Sequence, residues 1–396
     1  MKPHDSAGDS RARLFLMTNS FETGGSERQF GVLAKNLRPE QFQVHPGCIQ
    51  KKGPFANDFG DVPEYWLGGD LYSWKSWRTR LRLSRSLRQL RIEIAHAFDF
   101  YTNLTLIPAA RFARTPVVIG SQRQIGDLLT ARQFRAQAMA FRWCDAVICN
   151  SRAAADRLAE DGLASDKLIV IGNALPVEAF AAVPAALPRM SGKLRVGMVA
   201  RMNHRYKGHS GFLRIAKRIN QRMPDVEFVL AGDGPLRAEL EREAEALGIG
   251  NRVLFLGDRR DIPAVMASLD VAVLTSDSES LSNVILEAMA MGLPVVAYRV
   301  GGNAELLSHE REQLQRGELI SAGDEEGFAA AVERLLAAPS MRERFGQNGR
   351  KFAQDNFGLE NVRARYESCY QTLLEKKGVR TSLATWQPTT EAQRNG

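Results

Sequence analysis

Short apolar runs alternate along most of the chain with longer segments whose apolar residues recur at helical spacing. Residues 13–18, 116–120 and 194–200 are apolar runs of strand length, and each precedes a segment with helical periodicity. This alternation predicts parallel β-α-β units and therefore an α/β fold. The Ala- and Pro-rich segment 181–192 is typical of a linker, so we expect two such domains. A length of 396 residues also favours two domains over one.

The predicted organisation has four parts. Residues 11–185 form a first Rossmann-like domain, and residues 186–356 form a second. Residues 357–377 form a final amphipathic helix, because the apolar side chains of this segment share one helical face. The polar segment 378–396 is expected to be a disordered tail.

Composition and charge restrict the class of protein. No apolar run approaches the roughly 18 residues that a membrane span needs, and the apolar block 14–17 is too short for a signal-peptide core. We therefore expect a cytoplasmic protein. The four cysteines form no C-x-x-C pair, so neither a disulfide framework nor a metal site is predicted. The net charge is +8, and residues 1–185 hold 24 Lys and Arg against 18 Asp and Glu, so most of the excess lies in the first half.

The segment 276–305, SDSESLSNVILEAMAMGLPVVAYRVGGNAE, concentrates the candidate chemistry. Glu279 and Glu287 lie eight positions apart, which would be about 12 Å along a continuous helix. That separation exceeds the roughly 5 to 9.5 Å between the carboxyls of a glycosidase pair, and it suits an extended, hydroxyl-rich ligand. Ser282 is a candidate N-cap of a helix whose free N–H groups would attract a phosphate. The alternative is that both carboxylates belong to a solvated helix face.

The composite of E-x7-E, A-M-A-x-G-x-P-V-V-A and G-G-x-x-E in this segment resembles the donor-site signature of the retaining GT-B glycosyltransferases of family 4. The resemblance extends over residues 14–376 and is sharper in the second domain. It implies two Rossmann-like doubly wound parallel-sheet domains facing a cleft, with the C-terminal helix crossing back to the first domain. It also implies transfer of a sugar from a nucleotide-diphosphate donor with retention of anomeric configuration.

The resemblance assigns donor-side roles in the second domain. Glu287 would bind the ribose diol, and Glu279 would hold a donor-sugar hydroxyl. Arg201 and Lys207, in a loop similar to G-R-x-x-x-x-K-G, would hold the diphosphate and stabilise it as it leaves. With two cations there, neither a metal ion nor a cofactor is expected. The remaining donor-side candidates are the backbone of Ser280, Leu281, Ser282 and Asn283, the loop residue Arg259 beside the base, and Gly24 and Gly25 of a first loop that resembles G-G-[SA]-E-R.

The first domain departs from the family pattern. The strand that ends near residue 120 often carries a histidine in the family, whereas Gln122 and Arg123 stand there in this chain. We therefore treat Arg123 and the strand-end His96 as acceptor-side candidates. Arg123 would bind an anionic acceptor or a donor phosphate, or it is an ordinary surface arginine. His96 is either an acid or base of the site or a hydrogen-bonded histidine of the interior.

The segment 72–94 carries seven Lys and Arg residues before its first acid, together with two Trp and several Leu residues. A basic amphipathic helix of this kind lies on anionic membranes. The same pattern also fits a domain helix with Trp74, Trp77, Leu81, Leu87 and Leu90 in the core. We see no aromatic-stacking or zinc motif that would indicate nucleic-acid binding.

These observations together predict a transferase of surface polysaccharide or glycolipid synthesis. The expected partners are a nucleotide-diphosphate sugar, with UDP favoured, and a glycan or lipid-linked acceptor at the inner face of the cytoplasmic membrane. The alternatives are a GT-B nucleotide-sugar epimerase and a non-catalytic nucleotide-binding paralogue. A dinucleotide dehydrogenase is disfavoured because G-x-G-x-x-G is absent after the first strand.

Overall fold

The computed structural model describes residues 11–22, 24–69, 71, 73–188 and 192–379. The predicted tail 378–396 lies outside the described residues from position 380 onward, as do residues 189–191 of the predicted linker.

The first half of the chain forms a sheet of six parallel strands in the order β2-β1-β3-β4-β5-β6. The strands are β1 (Ala12–Thr18), β2 (Phe42–Cys48), β3 (Ile94–Ala97), β4 (Val117–Gln122), β5 (Ala146–Cys149) and β6 (Leu168–Val170). The helices are α1 (Gly25–Asn36), α2 (Trp74–Gln89), α3 (Phe100–Ala113), α4 (Ala131–Arg142) and α5 (Arg152–Glu160).

The second half forms another six-stranded parallel sheet, in the order β12-β11-β10-β7-β8-β9. Its strands are β7 (Arg195–Val199), β8 (Glu227–Ala231), β9 (Val253–Gly257), β10 (Val271–Leu274), β11 (Val295–Tyr298) and β12 (Gly317–Ile320). Its helices are α6 (His209–Arg222), α7 (Arg237–Ala246), α8 (Ile262–Met266), α9 (Asn283–Ala290), α10 (Asn303–Leu307), α11 (Glu325–Ala337) and α12 (Pro339–Phe357), and α13 (Leu359–Lys376) follows.

Both faces of each sheet are covered, as parallel sheets require. Along β1, Leu14 and Leu16 pack into one apolar cluster and Phe15 and Met17 into the cluster on the opposite face. The buried side chains of the second sheet are likewise divided between two apolar clusters. The predicted architecture of two doubly wound α/β units is therefore confirmed.

Each sheet has a switch point, where the strand order reverses and loops from two neighbouring strands diverge to opposite faces. In the first sheet this point lies between β1 and β3, and in the second between β7 and β10. Open parallel sheets bind ligands at such points, beyond the carboxyl ends of the strands. The fold therefore brings the loops after β1 and β3 together, and likewise those after β7 and β10.

Helix α13 packs on the first sheet, as the resemblance implied. Tyr370 lies edge-on to Phe42 of β2, with ring centroids 5.7 Å apart, and its hydroxyl is 2.8 Å from Nδ1 of His96 on β3. The entry into this helix is fixed by hydrogen bonds between Leu175 and Phe357 and between Leu359 and Leu175, at 2.7 and 2.9 Å. The chain thus crosses from the second sheet back to the first.

The core hypothesis for the Trp and Leu stripe of α2 is wrong for most of its members. Trp74 is 74% exposed and Trp77 is 46% exposed, and Leu81 and Leu90 also face solvent. The buried face of the helix is instead Ser76, Thr79, Leu83, Ser84 and Leu87. The small hydroxyl side chains fit a buried face because their oxygens are satisfied locally, as when Thr79 donates to the carbonyl of Trp66 at 2.9 Å. Among the described residues, no helix is both long and apolar enough to cross a membrane.

Candidate active site

The loop after β7 carries Arg201 and is held by a glycine loop from the neighbouring strand. Gly232 and Gly234 have φ values of +137° and +151°, and a Cβ atom on them would lie 2.1 Å from the carbonyl oxygen of Ala200 and 2.5 Å from that of Met202. Both positions therefore require glycine. The Gly232–Gly234 loop thus supports the exposed Arg201.

Lys207 and Glu279 meet at the switch point of the second sheet. The Lys207 ammonium lies 2.8 Å from Oε1 of Glu279, and both side chains are partly buried. The two loops are in close contact because Gly208, with φ +76°, leaves no room for a Cβ beside the carbonyl of Thr275. The Thr275 hydroxyl also donates to the carbonyl of Gly208 at 2.8 Å. Two residues 72 positions apart thus form one ion pair.

Helix α9 begins at Asn283, and Ser282 is its N-cap, as predicted. The Ser282 hydroxyl accepts a hydrogen bond from the backbone N–H of Ile285 at 3.3 Å. Glu279 precedes the helix and lies in the loop after β10, whereas Glu287 is on the helix itself. The two carboxylates therefore do not share a helical face, because the capped helix covers only the second half of the interval between them.

The glycines of the G-G-x-x-E motif hold the loop that carries Glu279. Gly301 has φ +47°, and a Cβ there would lie 1.6 Å from the carbonyl oxygen of Glu279. Gly302 donates its N–H to the carbonyl of Ser280 at 2.9 Å. The Ser280 hydroxyl in turn donates to Asn150 of the first half at 2.6 Å. The motif thus positions the 279–280 backbone and joins it to the opposite sheet.

The last residue of this motif, Glu305, also connects the two halves. Its carboxylate accepts hydrogen bonds from the backbone N–H groups of Arg152 and Ala153, both at 2.9 Å. These groups form the first turn of α5, whose positive dipole end favours a carboxylate. Glu305 therefore caps a helix of the other half of the molecule.

The N-terminal ends of α1 and α9 face each other across the cleft. A Cβ on Gly25 would lie 2.9 Å from Nδ2 of Asn283. One turn further along each helix, Arg28 forms an ion pair with Glu287 at 2.8 Å. Burial raises the pKa of the Glu287 carboxyl, and the Arg28 guanidinium partly offsets this shift. Gly25 thus permits the close approach of the helices, whereas Gly24 lies against the Glu27 side chain of its own helix.

Asn173, just beyond β6, joins this contact from the first half. Its Nδ2 donates to Oδ1 of Asn283 at 2.7 Å, and its own Oδ1 accepts from Arg123. The side chain of Leu281 packs into the apolar cluster that also contains Leu175, so its contribution to a site would come from its backbone. Residues from both halves therefore meet around the start of α9.

A cavity of about 310 Å³ opens at the switch point of the first sheet. Glu27 comes from the first turn of α1, which follows β1, and Asp99 from the loop after β3, while Gln122, Arg123 and Gln137 complete one side. Asp99 caps α3 and accepts hydrogen bonds from the N–H groups of Thr102 at 3.1 Å and Asn19 at 2.7 Å.

Both carboxyl groups of the cavity have shifted pKa values. Burial raises the pKa of Asp99 to about 7, against the effect of its two backbone donors. Burial also raises the pKa of Glu27, while the charges of Arg201 and Arg123 act in the opposite direction. Glu27 therefore lies within the electrostatic reach of Arg201, which belongs to the opposite sheet.

The two acceptor-side candidates occupy different places. His96 is fully buried, with Nδ1 2.8 Å from the Tyr370 hydroxyl and Nε2 2.8 Å from the Ser121 hydroxyl. Burial lowers its pKa to about 3, so the ring is neutral near pH 7. This placement favours the interior interpretation of His96. Arg123 lines the cavity, and its guanidinium carbon lies 5.1 Å from the centroid of the Phe98 ring.

Arg259 lies on the exposed side of the loop after β9. Its guanidinium binds the Asp261 carboxylate through two nitrogens, at 2.8 and 2.6 Å. This pairing occupies the Arg259 side chain, and the backbone of the loop stays the predicted contact to a base.

Sequence reasoning missed several residues of this region. Each of these residues lies in or next to a motif whose role was assigned to another residue, so little in the sequence singled it out. Glu27 and Arg28 follow the Gly-Gly turn, Asp99 follows the strand-end histidine, and Asn173 lies in the exit segment of the first domain. Glu305 ends a motif that served only to identify the family.

Two family models match the chain. The model described as Glycosyltransferase Family 4 matches residues 23–179, and the model described as Glycosyl transferases group 1 matches residues 193–338. The first match covers most of the first sheet and its helices, and the second covers the sheet that carries Lys207 and Glu279. Together they account for most of the chain.

Curated relatives are glycosyltransferases. The lipopolysaccharide core biosynthesis glycosyltransferase LpsE of Rhizobium meliloti is 32% identical over 226 residues, which are 57% of this chain and 64% of that protein. A UDP-Gal:alpha-D-GlcNAc-diphosphoundecaprenol alpha-1,3-galactosyltransferase of Escherichia coli is 28% identical over 76% of this chain and 81% of its own length. The chain spans less than two thirds of the length of LpsE. None of these matches supports the epimerase or the non-catalytic hypothesis.

Solved structures share the fold. Anabaena Alr3699/HepE in complex with UDP superposes with a TM-score of 0.79 at 22% identity, over 91% of this chain and all of that one. Sucrose-phosphate synthase from Thermosynechococcus elongatus superposes with a TM-score of 0.71 at 20% identity, over 92% of this chain and all of that one. The two family models, the named relatives and the GT-B architecture together show that this chain belongs to the group 1, family 4 glycosyltransferases.

Proposed function

We propose that the protein is a retaining, metal-independent glycosyltransferase that moves a sugar from a UDP-sugar to a glycan or lipid-linked acceptor of surface polysaccharide or glycolipid synthesis. The observation that carries this proposal is the meeting of Lys207 and Glu279 at the switch point of the second sheet, at 2.8 Å, beside the start of α9. A cation and a carboxylate in contact at this point suit a ligand that carries both a diphosphate and sugar hydroxyls.

In this proposal the second half of the chain holds the donor. Lys207 and Arg201 bind the diphosphate and stabilise the charge that develops on it as it leaves. The N-terminus of α9, with the backbone of Ser280 to Asn283, adds N–H groups and the positive end of its dipole. Glu279 accepts a hydrogen bond from a hydroxyl of the donor sugar. In this structure, its carboxylate is paired with Lys207.

Glu287 binds the ribose diol in the same scheme. Its carboxylate is largely buried and is paired with Arg28, so the ribose hydroxyls take the place of the guanidinium. A carboxylate accepts hydrogen bonds from both hydroxyls of a diol. The base would contact the backbone of the loop after β9, next to Arg259.

The reaction requires no separate protein base. The acceptor oxygen forms a bond to the anomeric carbon as the bond from that carbon to the diphosphate oxygen breaks. The proton of the acceptor hydroxyl passes to the leaving phosphate oxygen, which lies on the same face of the sugar as the acceptor. Retention of configuration follows from this shared face.

Relatives support this choice of donor and acceptor. HepE has been solved with UDP and with UDP-glucose, and the Escherichia coli relative uses UDP-Gal by its name. LpsE and LpsD of Rhizobium meliloti are named for lipopolysaccharide core biosynthesis. In this scheme residues 11–185 form the acceptor domain, 186–356 the donor domain, and 357–377 the helix that returns to the acceptor domain.

The exposed face of α2 suggests where such an acceptor is presented. Trp74 and Trp77 project into solvent between Lys75, Arg78 and Arg82, and the Trp77 ring lies 6.0 Å from that of Phe112 on α3. Tryptophan beside basic residues suits an anionic membrane interface. We therefore include peripheral binding to the inner face of the cytoplasmic membrane in the proposal.

The test is the thermal stabilisation of the protein by UDP, GDP and ADP, each with and without EDTA, for the wild type and Glu287→Ala. We expect UDP to raise the melting temperature of the wild type whether or not EDTA is present, and to raise that of Glu287→Ala much less. If no nucleotide stabilises the protein, or if the effect is independent of Glu287, the proposal fails. Nucleotide-sugar turnover that needs no acceptor would instead indicate an epimerase.

A further inference from the structure

The cavity at the switch point of the first sheet is close to the site proposed for the donor but is lined by the first half of the chain. Its volume of about 310 Å³ lies at the lower end of the range for small-molecule pockets. A space of this size suits the terminal sugar of an acceptor rather than a long glycan. The residues that line the cavity therefore restrict which sugar can bind there.

The cavity wall carries two carboxyl groups together with amide and hydroxyl side chains, which both donate and accept hydrogen bonds. Glu27 and Asp99 contribute carboxylates. Gln137 donates its amide nitrogen to the side-chain oxygen of Gln122, whose own nitrogen donates to the carbonyl of Gln124. This chain of amides leaves Oε1 of the buried Gln137 without a partner among the described residues. A ligand that fits must donate several hydrogen bonds.

Arg123 adds one donor to the same wall. Its Nη2 donates to Asn173, and its guanidinium lies over the ring of Phe98. The guanidinium also interacts with the Tyr366 hydroxyl, and its buried Nη1 forms no well-aligned hydrogen bond among the described residues. A sugar hydroxyl both donates and accepts, so it satisfies the carboxylates, the Gln137 oxygen and Arg123 together. A sugar carboxylate only accepts hydrogen bonds, and at a pH above 7, where Asp99 is ionised, it would add a further negative charge to this wall.

Glu27 lines the cavity and also senses a charge from the second half of the chain. The charge of Arg201, from the opposite sheet, acts on its carboxyl group. The carboxylate folds back over its own loop, where a Cβ on Gly24 would lie 2.0 Å from Oε2 of Glu27. Glu27 therefore lines the cavity next to the Gly24–Gly25 turn and is within the electrostatic reach of Arg201.

We infer that this cavity binds a neutral, hydroxyl-rich terminal sugar of the acceptor, and that Glu27 accepts a hydrogen bond from the attacking hydroxyl. This inference rests on the proposed function. Glu27 orients the hydroxyl only: the new bond forms between its oxygen and the anomeric carbon, and the proton leaves with the diphosphate oxygen. This inference differs from the sequence-based interpretation in which Arg123 binds an anionic acceptor, because two carboxyl groups share the cavity wall with the guanidinium.

The test uses the octyl β-glycosides of glucose, galactose and mannose and the matching octyl uronides, which differ only by a carboxylate at carbon 6. Binding of each probe to the wild type, Glu27→Gln, Asp99→Asn and Glu40→Gln is measured by saturation-transfer NMR in the presence of UDP. Glu40 is exposed and does not line the cavity, so its variant controls for the loss of one negative charge. All probes are compared at about pH 8, above the pKa of Asp99.

We expect at least one neutral glycoside to bind the wild type about tenfold more tightly than its uronide, since like charges in a shared pocket are strongly disfavoured. Glu27→Gln should weaken the neutral probe by about tenfold, as for a lost hydrogen bond to a charged group. Glu27→Gln and Asp99→Asn should both reduce the preference over the uronide, and Glu40→Gln should leave it unchanged. A purely structural role of Glu27 would not change this preference.

Equal or tighter binding of the uronides, or no binding of any neutral probe, would overturn the inference. The proposed function is tested separately, because stabilisation by UDP depends on Glu287 and not on Glu27. Retained stabilisation by UDP in Glu27→Gln also shows that the variant is folded. A failure of the acceptor inference alone is thus distinguished from a failure of the donor site.

Discussion

Nη2 of Arg28 lies 2.8 Å from Oε1 of Glu287 and joins the first turn of α1 to the middle of α9. The arginine side chain is half exposed and the glutamate is largely buried. Glu287 is the carboxylate proposed to bind the ribose. A nucleotide therefore competes with Arg28 for the same oxygen atoms.

Replacement of Arg28 by alanine should tighten the binding of UDP. Ion pairs with an exposed partner are worth about 0.2 to 1 kcal/mol, so we expect the Kd to fall by about twofold to fivefold. Isothermal titration calorimetry measures the change. Lys35→Ala removes another cation of α1, one that pairs with Asp58, and serves as the control. Weaker binding in Arg28→Ala would instead mean that Arg28 contacts the donor directly.

Replacement of Lys207 by alanine should lower turnover by about two to three orders of magnitude, because its charge stabilises the leaving diphosphate in the transition state. The release of UDP in a coupled assay gives kcat. Arg205→Ala is the matched control, since Arg205 lies in the same loop but pairs with Glu239 on the surface. Turnover close to that of the wild type in Lys207→Ala would contradict the donor site proposed here.

Replacement of Glu305 by alanine should loosen the contact between the two halves of the molecule. The loss of a helix cap costs about 0.5 to 2 kcal/mol, and here the cap belongs to α5 of the other half. We expect a larger radius of gyration in small-angle X-ray scattering and a lower kcat. Glu312→Ala removes an exposed acid from the following segment and is the control. Unchanged scattering and unchanged kcat would show that Glu305 does not set the closure.

Two titratable groups, His96 and Asp99, should change the free energy of unfolding in opposite directions as the pH falls. The pKa of His96 is lowered from 6.5 to about 3, so below pH 6.5 the unfolded chain takes up a proton that the folded chain does not, and stability falls as the pH falls. The pKa of Asp99 is raised from 3.8 to about 7, so the folded chain is protonated first and stability rises as the pH falls from 7 to 4. The two effects partly cancel near pH 5 to 6.

Asp99→Asn should therefore lose stability more steeply than the wild type between pH 6.5 and 5, by up to about 1 kcal/mol per pH unit. Urea midpoints followed by Trp fluorescence measure this difference. The exposed Asp127→Asn is the control. A parallel pH dependence of Asp99→Asn and the wild type would show that Asp99 keeps an ordinary pKa in the folded protein.

Replacement of Trp74 and Trp77 by serine should weaken binding to vesicles that contain phosphatidylglycerol by about tenfold, because the rings provide the apolar part of the proposed interface. Co-sedimentation measures the bound fraction, and vesicles of pure phosphatidylcholine test the electrostatic part. Leu254→Ser removes an exposed apolar side chain from the second half and is the control. Equal binding of all three proteins to anionic vesicles would exclude α2 as the membrane-binding surface.

The sequence alone predicted several features of this protein, from the periodicity of its apolar residues and from one capping residue. The alternation of apolar runs and amphipathic segments predicted the parallel α/β architecture, and Ser282 was identified as the N-cap of α9. These features depend on neighbours within a few positions along the chain, so local chemistry determines them. The motif around Glu279 and Glu287 identified the family for a similar reason, because its residues lie close together in sequence.

The tertiary structure decided which loops meet. Strand β1 lies beside β3, which joins Glu27 to Asp99, and β7 lies beside β10, which joins Lys207 to Glu279. The approach of α1 to α9 pairs Arg28 with Glu287. The structure also decided which side chains are buried: Trp77 is exposed, whereas His96 lies in the interior. None of this follows from periodicity, because strand order and the packing of the two halves depend on contacts between residues far apart in the chain.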